Sequence, residues 1–214
     1  MKRLAVKTLI EKSVQDMPQL SSSRKKKRVG ILGGTFNPPH LGHLIIAEEV
    51  ADQLGLDKVL FIPDSTPPHV DHKAAASAAK RKAMVELSIA GNPRFELNTC
   101  ELDRGGISYT YDTLQELRLR HPDWEYYFII GGDMVAYLPK WHKINELVKL
   151  VHLVGVARSG YPKKSNYPIL WVDVPLIEIS STDIRWRIQH GCSLKYLVLD
   201  SVIDYIRKEG LYRV

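Results

Sequence analysis

Short apolar runs that end in glycine or proline and hand over to helical stretches constrain this 214-residue chain more than any other feature. Val29-Gly30-Ile31-Leu32 stops at Gly33-Gly34, Lys58 to Ile62 is closed by Pro63, and Tyr126-Tyr127-Phe128-Ile129-Ile130 stops at Gly131-Gly132. These runs do not alternate apolar with polar, so each reads as a strand buried on both faces. Helical spacing fills the gaps between them. Leu44, Ile45, Ala47, Val50 and Leu54 give one apolar face to a helix from Leu41 to about Leu54. A second helix runs to about Ala90, where Gly91-Asn92-Pro93 ends it, and a third covers Thr110 to Arg120. Further strands are predicted at Phe95–Asn98, Val151–Ala157 and Ile169–Val172, with a broken helical region at 133–150. Helices at Thr182–Gln189 and Ser201–Lys208 close the chain. The pattern predicts a three-layer α/β domain, its sheet mostly parallel and doubly wound, with a small helical C-terminal portion.

The formal charge of +6 suggests nucleic-acid binding until it is located. Residues 1–28 hold nine basic and two acidic side chains, a net +7, which leaves the other 186 residues at −1. The body is near neutral, so nucleic acid is an expectation only for the basic arm. Domain organisation is therefore read as an N-terminal extension, 1–27, loosely ordered or with a short helix from Leu4 to Gln15, followed by one domain, 28–214. Cys100 and Cys192 are too far apart in sequence to suggest a zinc site or a disulfide framework. No stretch reads as a signal peptide or membrane span, and the expected location is the cytoplasm.

The turn after the first strand is where chemistry is expected: Gly33-Gly34-Thr35-Phe36-Asn37-Pro38-Pro39-His40-Leu41-Gly42-His43. It is neither the spaced-glycine turn of dinucleotide folds nor a P-loop. Glycine at a strand end lets a ligand approach the backbone, and helix N-termini favour phosphate. His40 and His43, three residues apart, could together grip a phosphoryl group. Their ordinary alternative is a structural cap. Near the C-terminus, Ser180, Ser181 and Thr182 precede another helix that carries Arg185, again either a plain cap or a phosphate site.

The first segment resembles the Gly-Thr-Phe-x-Pro-x-His-x-Gly-His signature of the nucleotidyltransferase superfamily. Ile179-Ser180-Ser181-Thr182-Asp183-Ile184-Arg185 is similar to the element that closes the superfamily's ATP phosphate site. Ser108-Tyr109-Thr110-Tyr111-Asp112-Thr113-Leu114, and Gly131-Gly132-Asp133 followed by Trp141, resemble elements of the bacterial nicotinate-nucleotide adenylyltransferases. The resemblance covers about 28–212 and implies a Rossmann-like nucleotidyltransferase fold. It implies that AMP passes from ATP to nicotinate mononucleotide, giving nicotinate adenine dinucleotide and pyrophosphate. It places His40, His43 and Thr35 at the reacting phosphates. Gly33, Gly34, Phe36, Ser180, Ser181, Thr182 and Arg185 go to ATP. Tyr109, Thr110, Asp133, Trp141 and Arg158 go to the mononucleotide.

Mg²⁺ is implied as a cofactor bound through ATP phosphates, with no metal ligand assigned to the chain. Pro67-Pro68-His69 echoes a family loop, but Val70 stands where lysine is usual, and Lys73 is a candidate replacement. Ser159 departs from the family's proline beside Arg158, and Arg81 matches a family arginine. Asn37 is expected to brace its loop by side-chain hydrogen bonds, and Tyr212 to pack in the core. Adenylylation of nicotinamide mononucleotide or phosphopantetheine, a silent nucleotide sensor and an RNA-interaction protein are the competing readings. Homo-oligomerisation stays open.

Overall fold

A computed structural model describes residues 26–66, 75–157, 163–175 and 177–213. The basic arm before residue 26, the Pro67 to Lys73 loop and Arg158 with Ser159 lie outside the described residues.

Six strands form one sheet: β1 (Lys27–Gly34), β2 (Lys58–Pro63), β3 (Phe95–Leu97), β4 (Trp124–Gly131), β5 (His152–Val156) and β6 (Ile169–Val172), in the order β3-β2-β1-β4-β5-β6. All five pairings are parallel. The expected mixture thus reduces to a purely parallel sheet, with order reversing between β1 and β4. The long helices are α1 (Leu41–Gln53), α2 (Ala78–Ile89), α4 (Thr110–Arg120), α7 (Ser181–Gln189) and α8 (Asp200–Lys208). A short α3 (Cys100–Arg104) was not foreseen. The broken region resolves into α5 (Gly132–Val135), a 3-10 turn at Leu138–Lys140 and α6 (Ile144–Leu147). β1 begins at Lys27 rather than Val29, because Lys27 and Arg28 pair with Trp124 and Glu125. Arg28 also holds the Tyr127 hydroxyl at 2.9 Å, so the end of the basic run is built into the sheet.

The uninterrupted apolar runs divide their side chains between two cores. Val29, Ile31, Leu60, Ile62, Tyr126 and Phe128 pack with Leu114 and Leu117 of α4 and Leu147 of α6. Val59, Phe61, Tyr127 and Ile129 face the other way, onto Ala47, Val50 and Ala51 of α1 and Val85 of α2. Successive residues of a strand point to opposite faces, so a sheet covered twice needs apolar residues at every position. A third cluster joins Met84 of α2 to Ile184, Val202, Ile203 and Ile206, which fixes the C-terminal helices against α2.

Gly155 in β5 is tightly enclosed. A Cβ there would lie 2.8 Å from Ile169 Cγ2 and from the Trp171 ring. Gly155→Ala is expected to destabilise the fold by about 1–3 kcal/mol, the usual cost of overpacking, read as a lower urea midpoint at unchanged m-value.

Candidate active site at the sheet switch point

The ladder between β1 and β2 continues to Gly34↔Pro63, whereas that between β1 and β4 stops at Ile31↔Phe128. β4 meanwhile stays paired with β5 as far as Gly131↔Val156. Beyond Ile31 and Phe128 the two central strands therefore part, leaving a crevice at the carboxyl ends where strand order reverses. Open α/β sheets bind ligands at this place.

Gly33 is exposed on one wall, and a Cβ there would meet only the Phe128 ring, at an ordinary 3.5 Å. Space for a side chain exists, so glycine here clears the approach to the backbone. Phe36, buried and at φ 49°, packs edge-on against the His43 ring at 5.1 Å.

His40 stands just ahead of the first helical turn, as the extended N-cap of α1. Its backbone N–H donates to His43 Nδ1 at 3.2 Å, the return bond of a capping box with histidine at the third position. Capping and ligand binding are therefore not exclusive. With Nδ1 accepting, the neutral His43 ring carries its proton on Nε2 and keeps that donor for another partner. The two imidazoles lie 3.7 Å apart, centroid to centroid. Gly42 accounts for this arrangement, because a Cβ there would sit 3.0 Å from His40 Nδ1. Burial, then the neighbouring His40, holds the His43 pKa well below its ordinary 6.5.

The second motif meets the first. Ser180 Oγ caps α7 by accepting from Asp183 N–H at 3.1 Å. Ser181 Oγ donates to the Pro38 carbonyl at 2.8 Å. Arg185 donates to the Asn37 carbonyl at 2.8 Å and to Thr182 Oγ1 at 3.1 Å. Asn37 Oδ1 accepts from Ala76 N–H and from the Tyr212 hydroxyl, at 3.0 and 2.7 Å. The expected bracing role of Asn37 holds, while Tyr212 does more than pack, and burial pushes its phenol pKa up.

Thr35 Oγ1 donates its proton to Asp64 Oδ2 at 2.8 Å. To a ligand it offers lone pairs and backbone rather than a hydroxyl donor. Asp64 is paired with Arg81, which is 3% exposed and also donates to the carbonyls of Thr35, Asp64, Ser65 and Ala76. Arg81 is thus a buried tie rather than a surface charge. Sequence reasoning missed Asp64, although its place directly after a predicted strand, like that of Asp133, was a usable signal.

The other wall carries the remaining candidates. Asp133 opens α5 at the end of β4, and its Oδ1 lies so close to Gly131 that a Cβ there would be 2.5 Å away. Half-buried Trp141 packs edge-on against Phe128 at 5.9 Å, the same ring that underlies Gly33. Tyr109 is the N-cap of α4 and its ring packs at a tilt against His142, 4.6 Å between centroids, a partner the sequence did not reveal. Among the described residues, no group of three or more His, Cys, Asp or Glu could hold a metal ion.

Residues 31–187 match the cytidylyltransferase-like family profile. The chain is 60% identical over 186 residues to a probable nicotinate-nucleotide adenylyltransferase of Lactiplantibacillus plantarum, covering 87% of this chain and 88% of that one. A probable nicotinate-nucleotide adenylyltransferase of Enterococcus faecalis is 55% identical, with 88% and 86% covered. In fold, the chain is similar to a Plasmodium falciparum nicotinic acid mononucleotide adenylyltransferase, with a TM-score of 0.74, 19% identity, and 87% of this chain and 97% of that one covered.

The lowered His43 pKa has a testable sign. Below pH 6.5 the unfolded chain binds a proton at this ring more readily than the folded chain does, so stability falls as pH drops from there. His43→Gln, which loses that titration, should show a flatter decline in Tm across this acid range than the parent.

Proposed function

The chain belongs to the nicotinate-nucleotide adenylyltransferases of the cytidylyltransferase-like family, and from that footing we propose that it makes nicotinate adenine dinucleotide from ATP and nicotinate mononucleotide in NAD biosynthesis. The observation that carries this reading is the hydrogen-bonded junction of the two phosphate-type motifs beside a crevice whose opposite wall holds Asp133 and Trp141. Phosphopantetheine is not favoured, because the similar proteins over most of the chain are named for nicotinate mononucleotide chemistry. The junction of intact His40, His43 and Arg185 speaks against a silent sensor.

In the proposed reaction a 5′-phosphate oxygen of the mononucleotide attacks the α-phosphorus of ATP. The bond from that phosphorus to the oxygen bridging it to the β-phosphate breaks, and pyrophosphate leaves. Each reactant brings its own reactive group, so the protein positions them and stabilises charge. His43 Nε2–H donates to a non-bridging oxygen. A ring that stays neutral at physiological pH remains a fixed hydrogen-bond donor whose strength does not vary with small pH changes. His40 supports it across the shared cap, Gly33 and Gly34 give access to backbone N–H groups, and Phe36 fixes the His43 ring. Thr35 contributes backbone and lone pairs.

Arg185, Thr182 and the first N–H groups of α7 at Ser181 serve the triphosphate tail, with Ser180 fixing that turn. Mg²⁺ fits as a phosphate-borne ion, held mainly by triphosphate oxygens and water and offsetting their charge. Tyr109 and Thr110 present free N–H groups at the start of α4 to the nicotinate carboxylate. Trp141 stacks on the pyridinium, and Asp133 accepts from sugar hydroxyls. Arg158 joins this set by resemblance alone. The adenylyltransferase domain is taken as 28–214, with 1–27 as an extension. No helix among the described residues is long and apolar enough to cross a membrane.

Pyrophosphate release with ATP should be fastest with nicotinate mononucleotide among a panel that includes the nicotinamide analogue and phosphopantetheine. A preference for either of the others would overturn the assignment. His43→Ala should lower kcat by about 10² to 10³ while leaving the unfolding transition in place. Trp141→Ala should chiefly raise KM for the mononucleotide, and an unchanged KM would return this side chain to the core.

A further inference from the structure

Ser108 and Thr113 belong to the motif that marks the mononucleotide wall, yet neither is available to a ligand. Both are buried, at 8% and 1% exposure, and both turn toward a third buried group, Glu101 of α3. Thr113 Oγ1 donates to Glu101 Oε1 at 2.7 Å and accepts from Arg104 Nη2, also at 2.7 Å. Ser108 Oγ accepts from Ser65 N–H at 3.0 Å, and its hydroxyl lies beside the Glu101 carboxylate, where it favours the charged form. Ser108 N–H in turn donates to the Thr66 carbonyl at 3.0 Å, where Thr66 and Ile107 form an isolated parallel bridge. Gly105 and Gly106, both at positive φ, leave the segment between α3 and α4 little local preference of its own. Its course is set by these bonds. Ser65 is also tied from the other side, because its carbonyl accepts from Arg81 at 3.3 Å.

We infer that Glu101 is a positioning residue that fixes the Ser108 to Thr110 segment, and with it the backbone N–H groups that distinguish a carboxylate-bearing nucleotide from its amide. This rests on the proposed function. Two hydroxyls face one carboxylate, that of Thr113 bonded to it at 2.7 Å, and burial, the largest influence on this group, raises its pKa. A carboxylate offers each hydroxyl an oxygen of its own and sets no donor against either. A glutamine amide has one acceptor, so its NH₂ group would face a hydroxyl that must turn away. The hydroxyl that turns away is then free to release either Ser65 or the α4 N-terminus. Backbone donors set to meet a carboxylate suit the amide less well, because the amide group brings its own N–H donors to the same place.

The test uses the full-length enzyme and its Glu101→Gln, Thr113→Val and Thr113→Ser variants. Glu101→Gln and Thr113→Val should each raise KM for nicotinate mononucleotide by about tenfold, the scale of one lost hydrogen bond to a charged group, with KM for ATP unchanged. The acid-to-amide ratio of kcat/KM should fall with them. Thr113→Ser, which keeps the hydroxyl, should restore the parent values, and the double variant should be no worse than the worse single one. Amide hydrogen exchange in the free protein at Ser65 and Ser108, whose N–H groups are bonded to Ser108 Oγ and to the Thr66 carbonyl, should speed up in Glu101→Gln and Thr113→Val and not at Leu32 or Ile184. Equal changes in both substrates' KM, or unchanged exchange at Ser65 and Ser108, would overturn the positioning role. Absence of turnover with nicotinate mononucleotide in the parent would instead defeat the functional reading, and the exchange measurement would still decide the role of Glu101.

Discussion

A guanidinium that is 3% exposed lies between the ends of β1 and β2, and the carboxyl end of the sheet depends on it. Arg81 donates to the Asp64 carboxylate and to four backbone carbonyls, including that of Thr35 in the turn after β1. Those carbonyls belong to chain that has left the sheet and has no strand partner for them. Burying a charge is unfavourable, and removing one partner of such a pair costs about 3–5 kcal/mol, so the arrangement is stable only when complete. Once Arg81 is in place, Asp64 takes the Thr35 hydroxyl, and the glycine turn has one conformation to present to a nucleotide.

The same economy runs through the rest of the site. Side chains that look like ligand contacts are largely occupied in holding other loops. Ser181 and Arg185 hold the Asn37-Pro38 turn, Ser180 caps its own helix, and His43 Nδ1 caps another. On the proposed assignment what they leave over serves the nucleotides: one imidazole nitrogen, backbone N–H groups and the unused guanidinium donors. A motif of this kind is then long because its members have partners within the protein as well as a share in the ligand.

The fold was legible because burial on both faces of a sheet demands uninterrupted apolar strands, and Lys58–Ile62 and Tyr126–Ile130 had little else they could be. Strand ends were less legible. Lys27 and Arg28 extend β1 although both are charged, since Tyr127, Glu125 and Asp57 receive Arg28 at the amino end of the strand. Helix α3 escaped notice because five residues carry no period. In the site, His40, His43, Asp133 and Trp141 stood out by residue type and position. Asp64, Glu101 and His142 did not, because their partners are distant in sequence: Thr35, Thr113 and Tyr109. Only folding brings such pairs together.

The parting of β1 from β4 beyond Ile31 and Phe128 has a mechanical corollary. Each flank of the cleft is stitched to a different neighbour, Gly34 to Pro63 and Gly131 to Val156. The gap between the flanks is therefore set by sheet twist, propagated from the shared ladder beneath, and not by loop length. On the proposed assignment the span separating donor nucleotide from acceptor is a property of the hydrophobic interior. Evolution could vary the loops above it to change which base or ring is admitted, while the in-line geometry of transfer stayed as the strands dictate.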